Sequence, residues 1–257
     1  MRIFCKIELK ENTPIPNNFR QGVVSLIKEA IKRGSDDGEL FYRFWYSTNK
    51  PKPFTFSAFF PLKSVEGRSV FNGGFFKLII STNNIDFLVR FYNGILELDK
   101  TGYYLYGQPI KLKHCNFLPE KRFSNEVVKF KTLSPFLIRD PKDGDYYLYP
   151  IKMTNYIDTK FQKFKYWKGI DIKDFERELE ENITINTKSK VKILDFELHN
   201  VVPVFCGSKR SNFSVTYPGI KASFKIEAEK EILKLIYDIG IGARRSEGFG
   251  MLEVENE

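Results

Sequence analysis

The chain has 257 residues, with 41 Lys+Arg against 32 Asp+Glu and a formal charge of +9. It is 42% hydrophobic and 16% aromatic, enough apolar material for a sizeable core, which excludes intrinsic disorder. Three widely spaced cysteines (Cys5, Cys115, Cys206) exclude a disulfide scaffold and a CxxC-type zinc site, and two histidines (His114, His199) leave little room for a multi-histidine metal centre.

The first eight residues, Met1 to Glu8, carry charges where a signal peptide needs an apolar run. No stretch approaches the roughly 18 consecutive apolar residues of a membrane span. The expectation is a soluble cytoplasmic protein with no membrane association. Residues 1–135 hold 21 Lys+Arg and 12 Asp+Glu, whereas residues 136–257 hold 20 of each. A basic excess of this kind is the footprint of a polyphosphate partner, although solubility alone also selects for it.

Residues 2–10 alternate, with Ile3, Cys5, Ile7 and Leu9 on one side, which predicts a half-buried strand. Residues 19–33 place Phe19, Val23, Leu26, Ile27, Ala30 and Ile31 at helical spacing, and Gly34 ends the run. Residues 53–60 read as a strand with Phe54, Phe56, Ala58 and Phe60 on one face. Asn72-Gly73-Gly74 marks a turn before a strand over 75–81. A helix over 84–97 and a strand over 109–117 follow. That order is the βαββαβ unit of a ferredoxin-like fold.

The second half repeats the order with longer insertions. Strands are expected over 127–133, 190–202, 213–227 and 249–254, and helices over 153–167, 171–181 and 228–239. The predicted fold is α+β, with two tandem ferredoxin-like domains over 1–120 and 121–257. The run Lys160 to Lys168 interleaves aromatic and basic residues, as in a helix lying on RNA or in a solvated helix packed through its rings.

Gly240-Ile241-Gly242-Ala243-Arg244-Arg245-Ser246-Glu247-Gly248-Phe249-Gly250 is the most informative stretch. A dinucleotide fingerprint needs glycine where Arg245 stands and the order strand, loop, helix; here the order is helix, loop, strand. No Gly-Lys-Ser/Thr follows, so a Walker loop is excluded too. A glycine-rich backbone with exposed N–H groups and Arg244 and Arg245 at its centre suits a phosphate chain. The other reading is a tight helix-to-strand connection.

This segment, continued by Met251-Leu252-Glu253-Val254, resembles the C-terminal signature of the CRISPR repeat-processing endoribonucleases. Three further segments agree in order: Lys52-Pro53-Phe54-Thr55-Phe56-Ser57, Phe130-Lys131-Thr132-Leu133-Ser134-Pro135, and Pro218-Gly219-Ile220 through Ile239. The resemblance implies binding of CRISPR repeat RNA and one cut in the repeat, without metal or other cofactor. A ribose 2′-OH would attack the adjacent phosphate, which needs a base, a cation for the phosphorane charge and an acid for the leaving oxygen. The implied partners are the repeat RNA and, beyond it, subunits of a CRISPR interference complex or a second copy of this chain.

The family's usual base is a histidine shortly before the Phe-Thr-Phe-Ser strand. Here that stretch, Glu39 to Ser47, has none. Two repairs are open: Tyr42 or Tyr46 stands in for it, with Lys28 on the first helix, or else Lys50 or Lys52, as the nearby cation; or lysine and the ordered, in-line RNA geometry do most of the work. A free tyrosine is only about 0.1% ionised at pH 7, so it needs cations nearby. The alternative for both tyrosines is packing beside Phe41, Phe44 and Trp45. His114 and His199 are expected to be structural. The expected RNA contacts are Arg244, Arg245, the loop glycines Gly240, Gly242, Gly248 and Gly250, Lys209 with Arg210, and Lys52. The missing histidine also opens a second function: a non-catalytic module that retains repeat RNA in an interference complex.

Overall fold

The computed structural model describes residues 1–47, 51–140, 142, 144–148, 167–207 and 214–255. They form two compact units. The first is Met1–Lys121 with Ser246–Gly248; the second is Arg122–Arg245 with Phe249–Glu257.

In the first unit, β1 (Arg2–Glu8) is followed by helices α1 (Arg20–Arg33) and α2 (Gly38–Tyr46). Strand β2 (Phe54–Phe59), the hairpin β3 (Leu62–Val65) and β4 (Arg68–Phe71), and β5 (Phe75–Thr82) come next. Helix α3 (Ile85–Thr101), the short pair β6 (Tyr104–Leu105) and β7 (Gln108–Pro109), and β8 (Lys111–Phe117) complete it. The main sheet runs β2-β5-β1-β8, and β1 is antiparallel to both neighbours. The alternation seen in the sequence works as expected: Ile3, Cys5 and Ile7 face the core, as do Phe76, Leu78 and Ile80 on the paired strand.

Helix α1 lays Val23, Leu26, Ile27, Ala30 and Ile31 on that sheet. Helix α3 adds Phe87, Leu88, Phe91, Ile95 and Leu98, and Asn84 caps it by accepting a hydrogen bond from the Phe87 N–H at 2.8 Å. The two helices meet backbone to backbone at Gly94, where any Cβ would overlap the Ala30 carbonyl.

The second unit repeats the plan: β9 (Val127–Thr132), β10 (Tyr146–Leu148), β11 (Trp167–Gly169), α4 (Ile172–Thr187), β12 (Lys192–Gly207), β13 (Ser214–Glu227), α5 (Lys230–Ile239) and β14 (Leu252–Val254). Its main sheet runs β12-β13-β9-β14. Taking the four principal strands of each unit in chain order, both sheets read second, third, first, fourth. Both units are therefore ferredoxin-like and the fold is α+β. Phe130, Phe175, Leu179, Ile220, Phe224, Leu233 and Ile236 belong to the second core.

One expectation changes most. The strand expected over 249–254 shortens to β14, because Gly248 and Gly250 sit at φ of +86° and +72°, outside extended backbone. The helix expected over 153–167 lies outside the described residues except Trp167, which opens β11. Helix α2 and the β3–β4 hairpin have no counterpart in the periodicity. No described helix is long and apolar enough to cross a membrane.

Candidate functional site

Helix α2 is short and aromatic, Gly38-Glu39-Leu40-Phe41-Tyr42-Arg43-Phe44-Trp45-Tyr46, with apolar residues on several sides. Neighbours hold it more than propensity does. Arg90 of α3 pairs with Asp37 just before the helix and lies 4.5 Å from the Phe41 ring centre. Hydrogen bonds from Arg90 and Ser35 hold the Asp37 carboxyl down at about 2. Glu39 accepts an ion pair from Lys32 of α1 at 3.2 Å and one from Arg43 at 3.1 Å.

These anchors bring one face of α2 against one face of α1. Tyr42 and Tyr46, four residues apart, stack with ring centres 4.7 Å apart and planes 22° from parallel. Lys28 and Lys32, likewise four apart on α1, lie over these rings: Lys32 Nζ is 4.3 Å from the centre of Tyr42, and Lys28 Nζ is 4.7 Å from that of Tyr46. Lys52, just before β2, sets its Nζ 5.4 Å from the Tyr46 ring. Three ammonium groups thus surround two stacked phenols. Lys28, Tyr42, Tyr46 and Lys52 meet here. Lys32 was missed as a site residue, although its spacing from Lys28 was a usable signal. Lys50 lies outside the described residues.

The electrostatics differ from the expected repair. Burial, then the neighbouring Tyr42, pushes the Tyr46 phenol up from its ordinary value. The cations touch the ring face, and desolvation of the hydroxyl outweighs them. That direction opposes the use of Tyr46 as a phenolate base. Its hydroxyl oxygen is buried and has no hydrogen-bond partner among the described residues. Lys28 moves in the useful direction. Burial lowers its pKa; Glu247 opposes the shift, and Lys52 and Lys32 add to it. An amine whose proton comes off more easily can serve in proton transfer.

The glycine-rich segment is more closely stitched than expected. Gly240 and Gly242 both sit at φ of +74°. A Cβ on Gly242 would overlap the Leu137 carbonyl, and one on Gly250 the Ile241 carbonyl. The N–H groups of Ile241, Ala243 and Gly250 donate to the carbonyls of Gly250, Leu137 and Pro135 at 2.8–2.9 Å. These donors are not presented to a ligand, which corrects the picture of a loop with its amides exposed. Ser246–Gly248 belongs to the first unit, where Arg20 Nε donates to the Gly248 carbonyl at 3.4 Å.

Arg244 and Arg245 are both engaged. Arg244 Nε donates to the Tyr146 hydroxyl at 2.8 Å, and its guanidinium lies 4.6 Å from the Tyr217 ring centre. Arg245 donates to the Gly240 carbonyl at 3.4 Å, and burial lowers its pKa. Lys209 and Arg210 lie outside the described residues. His114 and His199 are exposed on β8 and β12, away from the core role expected of structural histidines.

Two ferredoxin-like units joined in tandem, the second carrying a glycine-rich helix-to-strand segment, define the class of protein. The model of the CRISPR-associated protein Cas6 C-terminal family matches residues 118–254. The chain belongs to this family of CRISPR repeat-processing proteins. Solved structures share the fold along essentially the whole length. A Cas6-related protein of Pyrococcus furiosus is 20% identical, with a TM-score of 0.66 over 100% of this chain and 99% of that one. A structure described as an RAMP protein binding different RNA substrates is 17% identical, with a TM-score of 0.63 over 100% of both chains. A Cas6 product complex is 16% identical, with a TM-score of 0.60 over 99% of this chain and 100% of that one. The search of curated proteins yields no match.

Proposed function

We propose that the protein binds CRISPR repeat RNA and cuts it once within the repeat, through attack of a ribose 2′-OH on the adjacent phosphate without a metal ion. The products are a 2′,3′-cyclic phosphate and a 5′-OH. The observation that carries this is the cluster of Lys28, Lys32 and Lys52 around stacked Tyr42 and Tyr46, in a chain of the Cas6 family.

Each group has a part. Lys28, with its lowered pKa, takes the proton of the 2′-OH, and a water molecule gives the departing 5′-oxygen its proton. Lys52 and Lys32 balance the negative charge that builds on the phosphorane. The Tyr46 hydroxyl, buried and without a partner among the described residues, becomes a donor to a phosphoryl oxygen once RNA binding opens the packing around it. Holding the 2′-oxygen, phosphorus and leaving oxygen in line supplies much of the remaining acceleration.

The test is incubation with the cognate repeat RNA in EDTA. A single product pair, abolished by a 2′-deoxy substitution at the cut site, is the expected result. Tight binding with intact RNA favours the second reading, a module that retains repeat RNA in an interference complex. The absence of histidine from Glu39 to Ser47 is the observation on its side.

A further inference from the structure

Cys5 and Cys115 are 110 positions apart, and strand pairing sets them directly opposite each other on β1 and β8. Opposed residues of an antiparallel pair have Cα atoms roughly 4.5–5.5 Å apart, inside the window of about 4.4–6.8 Å that a disulfide spans. Both side chains point to the same face of the sheet, since directly paired residues do. Both are free thiols; Cys5 is fully buried and Cys115 is partly exposed.

We propose that Cys5 and Cys115 form an oxidisable pair that a hydroperoxide converts into a disulfide tying the edge strand β8 to the central strand β1. The division of labour follows from exposure. Cys115 meets the oxidant first: its sulfur attacks the peroxide oxygen, the O–O bond breaks, and Cys115 sulfenic acid and water form. Cys5 then resolves it: its sulfur attacks the sulfenic sulfur, the S–O bond breaks, and the second oxygen leaves as water. Two thiols and one hydrogen peroxide thus give one disulfide and two waters. The hydrogen bond between the two thiols, with burial, keeps the Cys5 thiol pKa raised and its proton in place until then.

A bridge here closes a long loop and adds a covalent tie beside the register irregularity between Lys6 and Ile7. The experiment treats the full-length protein with hydrogen peroxide and digests it under non-reducing conditions. The expected result is a peptide pair joining Cys5 to Cys115, lighter by two hydrogens than the separate peptides, with a raised melting midpoint that dithiothreitol returns to its starting value. Cys115→Ser removes both the link and the shift. Mapping separates this bridge from any reaction at Cys206. The proposal fails if both thiols stay open to alkylation, or if Cys115 gains two oxygens with no link to Cys5. The peptide map of the unsubstituted protein decides the matter even if the variant does not fold.

Discussion

Each unit contains two tyrosines beside a cation, and the two arrangements do opposite things. In the first unit, Tyr42 and Tyr46 stack on each other, lysines lie over their faces, and the Tyr46 hydroxyl has no partner among the described residues. In the second, Tyr146 and Tyr217 meet edge to face at 4.8 Å, and Arg244 hydrogen-bonds one while covering the other. Lysine is a compact charge that can give up its proton when desolvated. Arginine keeps its charge, and its planar head matches rings and oxygens at the same time. The first cluster therefore suits proton transfer and the second suits holding a loop in place.

Four substitutions sharpen or break this contrast. The largest effect is expected for Lys28→Met. Cleavage should fall by about 10²–10⁴-fold, with RNA affinity little changed, and Lys28→Arg should not restore it. In the parent protein the cleavage rate should rise with pH and level off below the ordinary lysine value, because burial lowers the Lys28 pKa. Below that lowered value the fold holds a charge that the unfolded chain solvates better. Lys28→Met should therefore raise the melting midpoint at pH 7. A fall in midpoint, with cleavage intact, would overturn the role.

Tyr46→Phe comes next. Losing one preorganised donor to the phosphorane should cost about 10²–10³-fold in single-turnover rate. The hydroxyl it removes has no partner, so chemical denaturation should show unchanged or slightly increased stability.

Arg244→Ala tests the other side of the contrast. Removing a charged hydrogen bond and a ring contact should cost about 1–3 kcal/mol of stability, measured by urea unfolding. The salt dependence of RNA binding should stay the same, because the group is spent inside the protein. A flatter dependence would instead make Arg244 a phosphate contact.

The smallest effect is expected for Asp37→Asn. The folded pKa of Asp37 is held at about 2, below its unfolded value, so its contribution is present above the ordinary carboxylate range and is lost as pH falls through about 2. The variant should be slightly less stable than the parent at pH 7, and the difference should shrink as pH falls and vanish only below about 2. Thermal melts across that range would show it, and a constant difference would rule out the ion pair as the cause.

The fold was largely legible because its signals are local. Alternation marked β1, and the spacing of Val23, Leu26, Ile27, Ala30 and Ile31 marked α1. Helix α2 escaped because it is short and because exposed Leu40 and Phe44 blur its stripe of Phe41, Tyr42, Trp45 and Tyr46, and contacts with α1 and Arg90 hold it in place. Half-by-half charge was a poor guide. Divided at Lys121, the residues before and after carry +7 and +2, so the second region is also basic.

The sequence by itself determined the order of the principal strands and helices and the tandem plan, because periodicity is a property of neighbours along the chain; Lys28, Tyr42, Tyr46 and Lys52 entered as candidates through the family resemblance and the missing histidine. Tertiary structure decided what those residues can do. Arg244 finds its tyrosine 98 positions away, and Cys5 finds Cys115 across a strand pair. Burial raises the Tyr46 pKa and lowers that of Lys28. Desolvation depends on what surrounds a group in space, and so the proposal of an amine rather than a phenol as the base rests on how the helices pack.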